Sequence, residues 1–135
     1  MPEPKLIIDH VSLSVEDLEH AKSFYAKALA PLGLEIVREV TAEQSGSVAF
    51  VGFGSGRKGC LWVAHHGRQT PTTHICFRAP TRAAVRAFHA AALDAGAKDN
   101  GGPGVRREYH DAYYAAFVLC PEGHNIEAVC FENEG

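Results

Sequence analysis

Two histidines and one glutamate of this chain have side chains and spacings that could support chemistry. The sequence contains eight histidines among 135 residues, and His10 and His74 begin matching segments. Glu127 lies between Ile126 and Ala128 on an apolar run, where an unpaired charge would be costly. Two imidazoles and one carboxylate can hold a divalent transition metal and leave positions open for water and substrate. We therefore predict a metal site at His10, His74 and Glu127, provided that the fold brings them together.

An internal repeat is the reason to expect that these residues meet. The segments at 10–29 and 74–93 align at a constant offset, and the two copies cover about residues 6–66 and 72–132. Side chains alternate across a strand, so each histidine points away from the apolar face of the strand that it opens. The repeat therefore predicts equivalent places for the two histidines in two modules, near a pseudo-twofold axis.

Each copy of the repeat predicts the element order β-α-β-β-β. An alternating strand opens each copy, and a helix follows, with Asp17 and Thr81 as N-caps and Gly33 and Gly96 as C-terminal stops. The strands predicted after the helices are 34–40, 48–53, 60–65, a weak strand within 97–108, 113–120 and 125–131.

The expected fold is α+β. Half of the chain is too small to bury a good core alone, so we expect two paired β-α-β-β-β modules forming an eight-stranded, barrel-like cleft with helices outside. We expect a single domain over residues 1–135. Two glycine-rich runs are present: 52–56, in which residues 54–56 are expected as a turn, and 100–104, which is expected as a loop. Neither leads from a strand into a helix, as a phosphate-binding loop would.

Composition and charge exclude several classes of protein. A hydrophobic fraction of 46% and a net charge of −3 describe a globular chain with no electrostatic reason to bind nucleic acid or an anionic membrane. The apolar runs are too short to cross a membrane, and no secretory signal is expected. Four cysteines without a C-x-x-C pair predict free, mostly buried thiols, which suit a reducing compartment, so we expect a cytoplasmic protein.

Three segments resemble the vicinal oxygen chelate superfamily, which includes glyoxalase I, extradiol dioxygenases and bleomycin-resistance proteins. They are I-D-H-V-S-L-S-V-x-D-L-x-x-A-x-x-F-Y at 8–25, T-H-I-C-F at 73–77 and F-V-L-C-P-E-G-H-N-I-E at 117–127. The resemblance covers nearly the whole chain and implies paired modules around a metal cleft. It also implies that His10, His74 and Glu127 are the metal ligands.

Three departures from the family pattern bear on what the resemblance implies. Glyoxalase I proteins have a fourth ligand, a Glu, where this chain has Trp62, and extradiol dioxygenases have a Tyr where this chain has Phe117. The closing hairpin has Cys120 in place of the family's Asp. Bleomycin-resistance proteins bind without metal and mostly lack the two histidines.

Four further residues are candidates around the cleft. Trp62 could form an aromatic wall of a substrate site or fill the core. Arg78 shares the inward side with His74 and could bind an anionic substrate group or end a strand in solvent. His110 could act as acid or base and Tyr114 as proton donor, or both could belong to a loop packed on the sheet. We expect His124 to lie at the surface.

The leading function is a metal-dependent enzyme of the glyoxalase or dioxygenase type. A divalent metal (Zn, Ni, Mn or Fe(II)) would act as Lewis acid on a small oxygenated substrate. Isomerase or lyase chemistry comes first and ring-cleaving dioxygenation second. The alternative is a metal-independent protein of the bleomycin-resistance type that sequesters a drug or metabolite. The expected partner is a small molecule, and a homodimer stays an open alternative.

Overall fold

The computed structural model describes residues 7–132 and contains two modules of four strands. Residue 6, where the first copy of the repeat is predicted to begin, and both ends of the predicted domain lie outside the described residues. The elements are β1 (Val11–Ser14), α1 (Leu18–Leu29), β2 (Glu35–Val40), α2 (Ala42–Ser45), β3 (Phe50–Ser55), β4 (Lys58–Ala64), β5 (His74–Arg78), α3 (Arg82–Asp94), β6 (Lys98–Val105), β7 (Tyr114–Leu119) and β8 (Asn125–Cys130).

Each module forms its own sheet, with strand orders β1-β4-β3-β2 and β5-β8-β7-β6. In each sheet the first strand pairs in parallel with the last, and the other neighbours are antiparallel. The fold is the α+β arrangement that the repeat predicts, with one correction. The eight strands do not close into a barrel, because within the described residues no strand pairing joins the edges of β1 and β5. A cleft lined by side chains occupies that place instead.

The two long helices begin at the predicted caps. The Asp17 carboxylate accepts a hydrogen bond from the His20 amide at 3.0 Å, and the Thr81 hydroxyl accepts one from the Ala84 amide at 3.0 Å. Such caps satisfy backbone donors that have no partner inside the helix. The helices contact each other, and one apolar cluster contains residues of both modules. Its largest fully buried side chains include Tyr25, Phe24, Phe53 and Phe88.

Two local predictions are wrong. The glycine-rich stretch 100–104 lies inside β6 rather than in a loop, with irregular register against β7. His124 is completely buried rather than at the surface. Its Nδ1 accepts a hydrogen bond from the Thr73 amide at 3.1 Å, and its Nε2 lies 3.4 Å from the Ser14 carbonyl oxygen. These partners are remote in sequence, so the local pattern could not reveal them.

Candidate active site

Strand pairing places the predicted ligands on the faces of the sheets that the helices leave open. In the second module Cys76 pairs with Glu127, so Glu127 shares the side of Cys76 and His74. In the first module Ser12 pairs with Trp62, which puts Trp62 on the side of His10. Trp62 therefore occupies the place in its module that Glu127 occupies in the other. The register of the repeat predicted this correspondence.

A buried carboxylate is at the centre of the second module's open face. Glu127 is 1% exposed, although its strand faces the cleft. Its Oε1 lies 2.7 Å from His74 Nε2, and its Oε2 accepts a hydrogen bond from the Tyr113 hydroxyl at 2.5 Å. The His74 side chain is half exposed. The site thus combines the buried Glu127 carboxylate with the His74 imidazole, which solvent and ligands can reach.

Two acidic groups beside Glu127, the Cys76 thiol and the Tyr113 hydroxyl, are held in their protonated forms. Partial burial of the thiol, together with the Glu127 carboxylate, raises the pKa of Cys76 to about 12. Desolvation, and then the hydrogen bond to Glu127, raise the pKa of Tyr113 well above its usual value. Both effects disfavour a second negative charge beside the carboxylate. Tyr113 therefore remains a hydrogen-bond donor to Glu127 near neutral pH.

His10 lies on the other side of the same cleft. A space of about 410 Å³ is lined by His10 and His74, together with Cys60, Cys76 and Arg78. His10 Nδ1 lies 2.6 Å from Asp9 Oδ1, and Lys58 Nζ also donates to that oxygen. The hydrogen bonds from His10 and Lys58 lower the pKa of Asp9. An imidazole held at Nδ1 by a carboxylate leaves Nε2 available as a ligand or base.

The donor set fits a divalent transition metal in part. His74 and Glu127 are in direct contact and supply the imidazole and carboxylate donors that such metals take. His10 is not close enough to complete the set: within residues 7–132 no group of three or more His, Cys, Asp or Glu side chains could hold a metal ion. The structure thus brings two of the three predicted ligands together and leaves the third across the cleft.

Trp62 forms part of a separate, broader groove over the first sheet. The groove measures about 540 Å³ and is lined mainly by small polar and aromatic side chains, including Ser12, Ser47, Phe50 and Trp62. The Phe50 and Trp62 rings pack edge to face, with centroids 5.6 Å apart. His10 also lines this groove, so it lies between the two binding spaces.

The remaining predicted residues have diverse surroundings. The Arg78 guanidinium lies over the Phe131 ring, 4.9 Å from its centroid. His110 is exposed, and its Nδ1 accepts a hydrogen bond from the Ala112 amide at 2.9 Å. Tyr114 lies on the helix side of its sheet, where its hydroxyl accepts a hydrogen bond from Arg86 Nη1 at 3.3 Å. The structure does not bring Tyr114 to Glu127.

Tyr113 is the site residue that sequence reasoning missed. It shares the alternation of Ala115 and Phe117, whereas Tyr114 shares that of Ala116 and Val118, which are both fully buried in the core. Phe117 pairs with Glu127 across the antiparallel ladder. The signal was therefore present in the sequence: the tyrosine on the side of Phe117 is the one that can face Glu127.

Comparisons with known proteins agree with this fold. The architecture defines a class of protein: an α+β chain of two modules with a cleft between the two sheets. The family model described as "Glyoxalase/Bleomycin resistance protein/Dioxygenase superfamily" matches residues 7–128. The chain belongs to this superfamily. The search of curated proteins found no match.

Solved structures with similar folds include a glyoxalase/bleomycin resistance protein from Albidiferax ferrireducens T118, with 26% identity and a TM-score of 0.68, covering 90% of this chain and 95% of that one. A lactoylglutathione lyase from Agrobacterium tumefaciens has 21% identity and a TM-score of 0.65, covering 95% and 96%. Glyoxalase I from Zea mays has 17% identity and a TM-score of 0.69, covering 90% of this chain and 43% of that one.

The described residues contain no helix that is long and apolar enough to span a membrane.

Proposed function

We propose that this protein is a metal-dependent enzyme that acts on a small oxygenated substrate in the cleft between the two sheets. The observation that carries the proposal is Glu127, a carboxylate that is 1% exposed and bonded to both His74 and Tyr113. Burying a carboxylate on an open sheet face costs stability, and such costs concentrate at functional sites. Isomerase or lyase chemistry is the first choice, and ring-cleaving dioxygenation is the second.

The chain's own residues divide the work as follows. His74 and Glu127 would hold the metal, with His10 from the other wall of the cleft. The bound metal would supply Lewis-acid polarisation of the substrate oxygens. Tyr113 keeps its proton and orients the Glu127 carboxylate through Oε2. The acid–base roles of His110 and Tyr114 stay predictions. Within the described residues neither side chain is hydrogen-bonded to Glu127.

Trp62 and Arg78 would bind the substrate. Trp62 offers an aromatic surface in the groove of the first sheet. Arg78 lines the cleft beside His74 and carries a charge suited to an anionic group. Trp62 occupies the place of the glutamate that is the fourth metal ligand in glyoxalase I proteins. We therefore expect little or no isomerisation of the hemithioacetal of methylglyoxal and glutathione. Robust turnover of that hemithioacetal with any candidate metal would contradict this use of Trp62.

The second candidate is a metal-independent protein that sequesters a drug or metabolite. The open groove of about 540 Å³ around Trp62 favours it, because binding there needs no contribution from His74 or Glu127. The cellular setting in either case would be the cytoplasm, in line with four cysteines that are all free. A homodimer, with a second chain at the cleft, is compatible with both candidates.

Metal binding to the folded protein tests the proposal. We expect Zn, Ni, Mn or Fe(II) at about 100 times its dissociation constant to add roughly 2.7 kcal/mol to the free energy of unfolding. His74→Ala should abolish this gain, whereas His20→Ala, which removes an exposed imidazole on α1, should retain it. A melting temperature that no metal changes would leave the sequestering protein as the better reading.

A further inference from the structure

The glycine-rich stretch of β6 holds the side chain of an arginine. Arg106 Nη1 donates hydrogen bonds to the carbonyl oxygens of Gly104, at 2.8 Å, and Ala115, at 3.2 Å. Its Nη2 donates to the carbonyl oxygen of Gly102 at 2.8 Å. A Cβ atom added at Gly101 or Gly104 would lie only 3.2 Å from the guanidinium nitrogens. The glycines therefore make room for the guanidinium, and the backbone carbonyls fix its orientation.

This guanidinium lies on the same face as the buried carboxylate. Arg106 Cζ lies over the Phe117 ring, 5.3 Å from its centroid, and the centroids of the Phe117 and His74 rings are 6.3 Å apart. Phe117 is also the ladder partner of Glu127. One aromatic ring thus separates Arg106 from the imidazole of the proposed centre.

The charge of Arg106 has no anionic partner among residues 7–132. No carboxylate oxygen of that part of the chain lies within 4.0 Å of its nitrogens, and its three acceptors are neutral carbonyls. The buried Glu127 carboxylate on this face is already bonded to His74 and Tyr113. Of the five N–H donors of a guanidinium, the Nε–H and one on Nη2 remain for a ligand. A rigid fork of this kind suits a carboxylate.

We propose that Arg106 binds the carboxylate of the substrate, and that the substrate class is a small 2-oxo or 2-hydroxy carboxylic acid. The inference rests on the proposed function, because it places the 2-oxo or 2-hydroxy oxygen of the substrate at the exposed His74 side of the proposed centre and its carboxylate toward Arg106. Arg78 lies over Phe131 on the same open face and, with no carboxylate partner among the described residues, supplies a second cation that favours anions in this cleft. A neutral substrate would leave both charges uncompensated.

A pair of ligands that differ only in charge tests the inference. Pyruvate and butane-2,3-dione have nearly the same shape and the same adjacent oxygens, but only pyruvate is an anion. Dissociation constants come from NMR titration of the full chain, with and without added Zn or Mn. We expect pyruvate to bind about 10- to 100-fold more tightly than the dione, the range for hydrogen bonds to a charged group. The Arg106 Nε–H resonance should shift with pyruvate alone.

Variants separate the fork from general electrostatics. Arg106→Gln should remove the preference for pyruvate and leave the affinity for the dione unchanged. Arg107→Gln removes the same charge from the adjacent exposed residue and should retain the preference. Arg106→Lys keeps the charge but not the fork, and most of the preference should be lost.

Three outcomes overturn the inference. They are equal affinities of the wild-type protein for the two ligands, equal loss in the Arg106 and Arg107 variants, and no binding of pyruvate at millimolar concentration. If the Arg106 variants do not fold, the Nε–H resonance of the wild-type protein decides. The metal titration with His74→Ala tests the proposed function separately, so failure of the carboxylate subsite with metal binding intact is recognisable.

Discussion

Glu127 is held in place by partners that leave it little freedom. Its two oxygens are bonded to different groups, His74 on one side and Tyr113 on the other. This arrangement satisfies a buried charge that would otherwise be costly, and it aims the carboxylate at an imidazole that is open to the cleft. The Arg78 guanidinium lies over the Phe131 ring and forms no ion pair with Glu127.

Glu127→Gln tests whether the Glu127 carboxylate is a metal ligand or a structural group that stabilises the fold. The change keeps the shape and removes the charge. We expect metal binding to weaken severely, while the metal-free protein is at least as stable as the wild type because a buried charge is gone. Denaturant unfolding with and without metal measures both effects. A loss of about 3–5 kcal/mol with unchanged metal affinity would instead identify a structural ion pair with His74.

Tyr113 and Tyr114 offer a matched pair of hydroxyl deletions. Tyr113→Phe leaves a buried oxygen of Glu127 without its donor, so we expect a loss of about 1–3 kcal/mol in the free energy of unfolding. Because Tyr113 orients a proposed ligand, metal affinity should fall about tenfold or more. Tyr114→Phe removes only a contact with Arg86 on α3 and should change stability by less than about 0.5 kcal/mol. The opposite order of effects would return the catalytic role to Tyr114.

At the scale of single strands, the glycines of β3 and β4 shape the groove of the first sheet. A Cβ atom at Gly52 would lie 2.7 Å from Trp62 Cε3, and one at Gly59 would lie 2.7 Å from Cζ2. The indole therefore lies against backbone that no side chain covers. Glycine destabilises the interior of a strand, but only glycine allows the Trp62 ring to approach the backbone this closely. The same side chain lines the groove of the first sheet.

Gly52→Ala tests this packing. The added methyl group collides with Trp62, so we expect a loss of about 1–3 kcal/mol, as overpacking costs elsewhere. Trp62 is the single tryptophan of the chain, so its fluorescence reports any displacement. Gly102→Ala is the control, because a Cβ atom there has nothing within 4 Å. Unchanged fluorescence and stability in Gly52→Ala would contradict the stacked position of Trp62.

At the scale of the whole molecule, the turn between β7 and β8 connects the two modules. Glu122 is 9% exposed, and its carboxylate accepts hydrogen bonds from the amides of Glu16 at 2.7 Å and Asp17 at 2.8 Å, at the start of α1. His124 contacts Ser14 in the same region. The apolar cluster also runs through both modules. We therefore expect the modules to depend on each other.

Thermal unfolding tests this dependence. One shared core predicts a single cooperative transition, with equal calorimetric and van't Hoff enthalpies. Glu122→Gln should cost about 1–3 kcal/mol, because one of the two amides loses its acceptor. Glu108→Gln, at an exposed position, is the control and should change stability by less than about 0.5 kcal/mol. Two separate transitions would show independent modules and contradict the prediction of one domain.

The sequence by itself determined the features that depend on local periodicity. The repeat and its alternating strands predicted two equivalent modules and put His74 and Glu127 on one side of the second sheet. The caps at Asp17 and Thr81 predicted where the helices begin. These features were predictable because a strand's two faces and a helix's first turn are set by residues close together in the chain.

Only the tertiary structure decided the features that depend on register and distance. It chose Tyr113 over Tyr114 as the partner of Glu127, buried His124 between the modules, and turned the stretch 100–104 into a strand that cradles Arg106. Each outcome depends on which residues, distant in sequence, a side chain contacts. The register shifts between β6 and β7 change these contacts by whole residues. The separation of His10 from His74 has the same origin, because the strand pairing of residues 7–132 stays within each module and does not join β1 to β5.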